Sequence, residues 1–194
     1  MNGPEATHDV LVLTGTDHHQ FRRLVDWVEA WVAVNPSRSV LVQHGYTAAP
    51  GGATRADYAA FLEHAHIGAH LAVAAAVVCH GGPGTIVDCR LAGLMPVVVP
   101  RSADLGEHVD NHQQRYTARL HEQGVIDRAD SYERFGEAMA AALDRERANL
   151  ATLDDDVVTE TVTAFGDQVS AALERRRVRR GSGRMQWSRG VGRR

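Results

Sequence analysis

Short apolar runs alternate with longer amphipathic segments along this sequence, and this alternation restricts the possible folds more than any other feature. Six apolar runs predict buried strands: residues 9–14, 39–43, 58–62, 75–79, 96–100 and 125–126. Helical spacing of apolar residues predicts helices at residues 21–34, 64–73, 85–92, 111–123, 131–149 and 154–177. Strands joined by helical crossovers pair in parallel. We therefore predict an α/β domain, with a parallel sheet covered by helices on both faces.

The charge of the chain is divided unevenly between a globular part and a tail. The formal net charge is −3, but residues 174–194 hold nine arginines and one acid, a balance of +8, which leaves −11 on residues 1–173. We predict a short extension at 1–8, one globular domain at 9–173 that includes the C-terminal helices, and a basic tail at 174–194. The tail is rich in glycine, serine and arginine, so we expect it to be disordered.

The composition excludes several kinds of chemistry. All 21 basic residues are arginine, so the chain has no lysine for a Walker-A phosphate loop, a pyridoxal Schiff base or a lysine nucleophile. Cys79 and Cys89 lie in apolar stretches and predict neither a disulfide framework nor a zinc ribbon. The sequence has no signal-peptide pattern and no apolar run of about 18 residues, so we expect a cytoplasmic protein.

The segment HGGPGT, residues 80–85, follows a predicted strand and precedes a predicted helix. Its glycines allow close approach to the backbone, and the N-terminus of the following helix favours an anion such as a diphosphate. The alternative is a tight turn whose glycines serve packing alone. A dinucleotide fingerprint that began at Gly82 would need glycine at position 87, where the chain has Val87, so nicotinamide binding is not favoured.

A family resemblance is carried by the stretch VVCHGGPGTIVDCRLAGLMPVVVPR, residues 77–101. It resembles the signature of the C-terminal domain of family 28 glycosyltransferases. Three further segments occur in the same order as in that family: VLTGTDHHQFRRLV (12–25), VLVQHG (40–45) and EHVDNHQQRYTARLHEQGVI (107–126). The resemblance is nearest to the stand-alone members, which are the cytosolic subunit of the dolichol-linked N-acetylglucosamine transferase and the matching subunits of bacterial exopolysaccharide transferases. It implies a Rossmann-like domain equivalent to the C-terminal, donor-binding half of a GT-B glycosyltransferase.

The same resemblance implies a set of binding residues for a UDP-sugar donor. The donor diphosphate is expected at Gly15, Thr16, His80, Gly81, Gly82, Gly84 and Thr85. The ribose is expected at Asp88, where the family usually has Glu, and the donor sugar at Asn111, His112, Gln113 and Gln114. Among these Gln113 is the best candidate for a sugar hydroxyl, because an amide both donates and accepts hydrogen bonds. Arg101 is expected either to neutralise a phosphate or to pair with an acid.

The implied activity is transfer of a hexose from a UDP-sugar, without a metal or other cofactor. Helix dipole and backbone N–H groups would stabilise the leaving nucleotide. The sequence does not identify a general base; Asp17, His18 and His19 are candidates, with exposed loop residues as the alternative interpretation. In two-domain relatives, the base and acceptor site come largely from the other half. The resemblance therefore implies a membrane-anchored partner subunit that presents a lipid-linked acceptor.

Other interpretations remain open at this stage. His64, His66 and His70 do not have zinc-site spacing, so no metal is expected there. The chain could be a nucleotide-sugar-binding or regulatory module without turnover. The basic tail could attract an anionic membrane surface and make the protein peripheral at the inner face of the plasma membrane. It could instead bind nucleic acid without specificity, or be a solvated extension.

Overall fold

The computed structural model describes residues 7–52 and 54–146, which form an α/β domain. The strands of this part are β1 (Val10–Leu13), β2 (Val40–Gln43), β3 (Asp57–Ala59), β4 (Ala76–Cys79), β5 (Val97–Val98) and β6 (Asp127–Arg128). The helices are α1 (Arg22–Val34), α2 (His64–Val73), α3 (Pro83–Leu91), α4 (His112–Glu122) and α5 (Tyr132–Asp144), with a short 3-10 helix at Ala103–Leu105. The predicted α/β class is confirmed.

The strands of the described part form one parallel sheet in the order β3-β2-β1-β4-β5-β6. The chain therefore builds outward from β1 in one direction, then returns to the other side of β1 with β4 and builds outward again. At this point of reversal, Leu13 of β1 pairs with Gln43 of β2 on one side and with Cys79 of β4 on the other. The crevice beyond the carboxyl ends of β1 and β4 is the usual ligand position in an open α/β sheet.

Alternate residues of the central strands contribute to two separate hydrophobic cores. Val10 and Val12 of β1 pack in a cluster with residues of α1 and α5, with Phe21 just before α1 and with Phe135 of α5. Leu11 and Leu13 pack on the other face with residues of α2, α3 and α4. Because both faces are buried, β1, β2 and β4 are buried at every position. This explains why they are continuous apolar runs in the sequence.

Several boundaries differ from the sequence predictions. Helix α3 starts at Pro83, two residues before its predicted start, since proline is well suited to the first helical position. The last strand was predicted at 125–126, which is wrong: these residues are buried in the core, and the pairing residues are Asp127 and Arg128. Strand β3 ends at Ala59, and the exposed Phe61 lies outside it.

The end of the domain also differs from the expectation. Helix α5 ends at Asp144, before the predicted 149, because Arg145 has an extended backbone. Ser131 caps this helix by accepting a hydrogen bond from the Arg134 backbone N–H at 3.2 Å. The predicted helix at 154–177, the tail at 174–194 and most of the predicted extension at 1–8 lie outside the described residues. In the described part, no helix combines the length and the apolar character needed to cross a membrane.

Candidate functional site

Three loops meet beyond the carboxyl ends of β1, β4 and β5. The first follows β1 and runs from Thr14 to α1, the second is the glycine turn between β4 and α3, and the third joins β5 to α4. The first two are adjacent because β1 and β4 are paired, and the backbone N–H of His80 donates to Leu13 O at 3.1 Å. Fourteen of the residues predicted for binding or catalysis lie on these loops or in the first turns of the following helices; Asp88 lies one turn further along α3.

Arg101 joins the first and third loops from inside the protein. Its side chain is only 1% exposed, and one guanidinium nitrogen donates to His19 O at 2.7 Å and to Glu107 O at 2.9 Å. The second donates to Thr14 O at 2.7 Å, and the guanidinium lies 4.7 Å from the centre of the Phe21 ring. Among the described residues its hydrogen-bond partners are therefore backbone carbonyl groups and not an acid, and the expected role toward a phosphate stays a prediction.

A buried ion pair holds the third loop from the other side. The Glu107 carboxylate accepts hydrogen bonds from Arg23 Nε at 2.9 Å and Nη2 at 2.8 Å, and from the Ser102 backbone N–H at 2.9 Å. Arg23 also donates to Pro100 O at 2.8 Å. A buried carboxylate requires this degree of hydrogen bonding to offset its desolvation. The loop between β5 and α4 is thus fixed at both Arg101 and Glu107.

The glycine turn leads directly into the N-terminus of α3. Gly82 is the N-cap residue, and the first helical hydrogen bond runs from the Ile86 N–H to Gly82 O at 3.2 Å. The N–H groups of Gly84 and Thr85 precede this bond, so the helix offers them no acceptor. A Cβ built at Gly84 would meet no atom within 4 Å, and the first turn contains no acidic residue. This helix end therefore favours an anion and is open to one.

The His80 ring lies between two glycines. A Cβ added to Gly82 would lie 2.2 Å from His80 Nε2, and one added to Gly15 would lie 2.7 Å from the same atom. Gly15 also has a φ of +86°, a conformation that favours glycine. His80 Nδ1 is buried and has no hydrogen-bond partner among the described residues. Burial, together with the nearby Arg101 charge, lowers the pKa of His80 to about 4, so the ring is neutral at physiological pH.

The catalytic candidates lie on the first loop. Asp17 Oδ1 accepts hydrogen bonds from the His19 backbone N–H at 2.7 Å and from His19 Nδ1 at 2.6 Å. Burial alone would raise the pKa of Asp17, but these hydrogen bonds and the neighbouring imidazoles outweigh burial, so the pKa is lowered. Asp17 is therefore an ionised group of low basicity. Thr16 is exposed, and the His18 side chain is 75% exposed.

Asp88 lines a groove between α2 and α3. The groove has a volume of about 460 Å³, within the range typical of small-molecule sites. Its walls are His64, Ile67, Gly68, Leu71, Ala72, Leu91 and Ala92. Asp88 is the acidic group of this lining and lies three residues after Thr85 on the same helix face. Asp88 therefore lies at the groove and one helical turn from the N-terminus of α3.

The predicted sugar segment is divided between two places. Gln113 lies beside the glycine turn: its Oε1 accepts from the Arg101 N–H at 3.1 Å, and a Cβ on Gly81 would lie 3.1 Å from Gln113 Cβ. Asn111 and Gln114 instead line another cavity of about 460 Å³. Gln114 donates to Pro100 O and Arg101 O, both at 3.2 Å, while Asn111 Oδ1 accepts from the Ala103 N–H at 2.8 Å.

His112 is the fourth residue of that segment, and its Nδ1 contacts the Asp110 carboxylate. Sequence reasoning missed Asp110 and His108. The Nε2 atom of His108 lies 3.6 Å from Oδ2 of Asp17, which belongs to the first loop. The alternation His108, Asp110, His112 was the available signal, but it gives no information about the contact with Asp17 until the fold is known.

Comparison with known proteins agrees with this architecture. Residues 10–161 match the sequence model of the glycosyltransferase family 28 C-terminal domain. No curated protein sequence matches the chain.

Solved structures of glycosyltransferases share the fold. The glycotransferase of kitacinnamycin has a TM-score of 0.56 at 18% identity, over 91% of this chain and 44% of that one. CalG4, the calicheamicin glycosyltransferase, has a TM-score of 0.56 at 19% identity, over 89% of this chain and 43% of that one. SnogD from Streptomyces nogalater has a TM-score of 0.51 at 18% identity, over 84% of this chain and 43% of that one. The chain thus spans less than half the length of these proteins.

The confined His80 ring leads to a prediction about stability. Gly82→Ala should destabilise the domain by about 1–3 kcal/mol, as overpacking usually does, because the ring cannot move away from Gly82 without meeting Gly15. Gly84→Ala is the matched control on the same turn, with no atom near its Cβ, and should leave stability unchanged or slightly higher. Thermal or urea unfolding measures both.

The double variant separates this explanation from a general intolerance of the turn. His80→Ala removes the atoms that the new methyl group would meet. In the His80→Ala background, Gly82→Ala should therefore cost much less than it does in the parent chain. An equal cost in both backgrounds would show that the His80 ring is not the cause.

Proposed function

The chain belongs to the glycosyltransferase family 28 C-terminal domain family, and from this membership we propose that it binds a UDP-sugar and acts as the donor-binding subunit of a hexosyltransferase. One observation carries the proposal. The open N-terminus of α3 lies at the point where the sheet order reverses, without acidic side chains in its first turn. A diphosphate bound there accepts hydrogen bonds from the Gly84 and Thr85 N–H groups and interacts favourably with the helix dipole.

The remaining parts of the donor are assigned to the neighbouring surfaces. The neutral His80 ring, with Gly15 and Thr16 on the first loop and Gly81 and Gly82 on the turn, adjoins the diphosphate. The nucleoside extends into the groove between α2 and α3, where Asp88 accepts hydrogen bonds from the ribose hydroxyls. The sugar lies toward Gln113. Because Gln113 Oε1 already binds the Arg101 N–H, the amide nitrogen is the group left for a sugar hydroxyl.

In the proposed reaction, an acceptor hydroxyl attacks the anomeric carbon, and the bond to the UDP oxygen breaks. The negative charge that develops on the leaving UDP is stabilised by backbone N–H groups and the helix dipole, so we assign no metal or other cofactor to this step. The low basicity of Asp17 argues against it as the base. His18 and His19 remain candidates, and a base from a partner subunit is the alternative.

The acceptor and its site are proposed from the family resemblance. The chain spans 43–44% of the solved glycosyltransferases described above, and we propose that a membrane-anchored partner subunit supplies the rest of the cleft and a lipid-linked acceptor. The protein would then act in the cytoplasm at the inner membrane face, as in exopolysaccharide synthesis. The arginines of residues 174–194, outside the described part, would add attraction to anionic lipids.

Transfer assays test the enzymatic part of the proposal. The full chain should bind UDP on its own and should transfer sugar from a panel of UDP-sugars only in the presence of membranes that carry its partner. Binding without transfer under all of these conditions would favour the alternative, a nucleotide-sugar-binding module. Absence of binding to UDP and to every UDP-sugar, measured by calorimetry, would overturn the donor site itself.

The ribose assignment predicts selectivity for a hydroxyl. The parent chain should bind UDP more tightly than 2′-deoxy-UDP, and Asp88→Ala should lose on the order of tenfold or more in UDP affinity, as expected for a hydrogen bond to a charged group. The same variant should bind 2′-deoxy-UDP almost as well as UDP. Asp144→Ala, an exposed acid at the end of α5, is the control and should retain the preference. A preserved preference in Asp88→Ala would place the ribose elsewhere.

The sugar assignment is tested by a substitution that keeps the Arg101 contact. Gln113→Glu retains an oxygen for the Arg101 N–H but replaces the amide donor. The ratio of UDP-sugar affinity to UDP affinity should therefore fall about fivefold or more, the value of one hydrogen bond. Because UDP carries more negative charge than a UDP-sugar, repulsion by the new carboxylate acts against this fall, so charge alone cannot produce a lower ratio. An unchanged ratio, measured by calorimetry with each UDP-sugar of the panel, would remove Gln113 from the sugar site.

A further inference from the structure

Four imidazoles and two carboxylates are gathered where the loop after β1 faces the start of α4. They belong to two chain segments: Asp17, His18 and His19, and His108, Asp110 and His112. Within each segment the three metal-ligand atoms lie within 4.8 Å of one another. The fold joins the two segments, since His108 Nε2 lies 3.6 Å from Asp17 Oδ2 and the rings of His19 and His108 are stacked at 6.1 Å.

The second segment is the more sheltered of the two, because the His18 side chain of the first segment is 75% exposed. Asp110 Oδ1 lies 3.8 Å from His108 Nδ1, and it also contacts His112 Nδ1. The two rings meet edge to face, with 4.6 Å between their centres. Both are largely sheltered, with side-chain exposures of 13% and 26%. Bonds of about 2.0–2.2 Å to a tetrahedral ion place ligand atoms roughly 3.3–3.6 Å apart, so small ring movements suffice.

Asp17 lies on the side of the His108 ring opposite Asp110, where it can orient this ring. The imidazole of a metal ligand generally donates its second N–H to a carboxylate, which fixes the tautomer and the ring plane. Asp17 faces the Nε2 side of His108, while Nδ1 faces Asp110. The backbones of both segments are held together by Arg101 through His19 O and Glu107 O. Their approach therefore does not depend on the titratable side chains themselves.

We propose that His108, Asp110 and His112 bind one divalent transition-metal ion of the zinc type, with Asp17 as a positioning residue for His108. Imidazole nitrogen with carboxylate oxygen suits Zn²⁺, whereas Mg²⁺ prefers oxygen ligands throughout. The bound ion would fix the loop before α4 at the side of the glycine turn. It takes no part in the sugar transfer proposed above, so the two proposals stand or fall separately.

Calorimetric titration with ZnCl₂ tests the site on the full chain without a polyhistidine tag, after treatment with a chelator. We expect about one high-affinity ion per chain. His108→Ala and His112→Ala should each weaken binding by roughly 10–100-fold or more, and Asp17→Asn by roughly 10–100-fold, the usual effect of an outer carboxylate. His121→Ala, an exposed histidine near the end of α4, is the matched control and should bind like the parent.

Spectroscopy and a second variant protect the test from folding artefacts. Bound Co²⁺ should give visible absorption bands that are lost in His112→Ala, and melting curves without metal should show whether each variant remains folded. If an alanine variant unfolds, Asp110→Asn replaces it in the test, because it keeps the shape of the side chain. This variant should bind the ion more weakly than the parent chain. Absence of binding by the parent chain would overturn the proposal. So would binding by His108→Ala and His112→Ala with the same affinity as the parent chain. So would a loss in His18→Ala as large as in His112→Ala, which would place the ion on the first segment.

Discussion

The geometry of the candidate site depends on one buried guanidinium. Arg101 lies three residues after the end of β5, and its side chain donates to the carbonyl oxygens of Thr14, His19 and Glu107. Carbonyl groups at strand ends and in loops would otherwise be buried without partners, at a cost of about 1–3 kcal/mol each. The loops at the carboxyl ends of two strands, β1 and β5, are therefore held together by a single side chain. The planar, forked arrangement of its donors suits this role, for which the single point charge of lysine would be a poor substitute.

Three arginines of the site region already have partners within the protein. Arg101 binds carbonyl groups, Arg23 pairs with Glu107 at 2.8 Å, and Arg128 pairs with Asp130 at 2.9 Å. An acidic domain without lysine thus has little cationic charge to direct at a nucleotide. The anion binding proposed above would then rely on backbone dipoles and on close approach to the backbone, which the glycine turn and the first turn of α3 can provide. The charge imbalance in the sequence and the geometry of the turn are consistent with each other.

The parts of this arrangement that could be predicted are those indicated by short sequence patterns. Continuous apolar runs indicated β1, β2 and β4, and the glycines before α3 indicated the turn. Strand β6 was misplaced because its pairing residues, Asp127 and Arg128, are polar, whereas the apolar signal came from core residues before it. The partners of Arg101 have no sequence signature, since every residue carries a carbonyl group. Asp17 and His108 are 91 positions apart in the sequence, so their contact can be recognised only when the topology of the sheet is known.

The placement of the His80 ring has a consequence for how this sequence can change. Positions 15, 80 and 82 share one small volume, although two different loops supply them. At Gly82 a side chain larger than hydrogen becomes acceptable only after the ring has been replaced by something smaller. Once that replacement is made, Gly82 loses the steric reason for its retention, whereas Gly15 is still favoured by its φ of +86°. The three positions therefore form a single unit of substitution, in which the order of events matters and the individual steps are not independent.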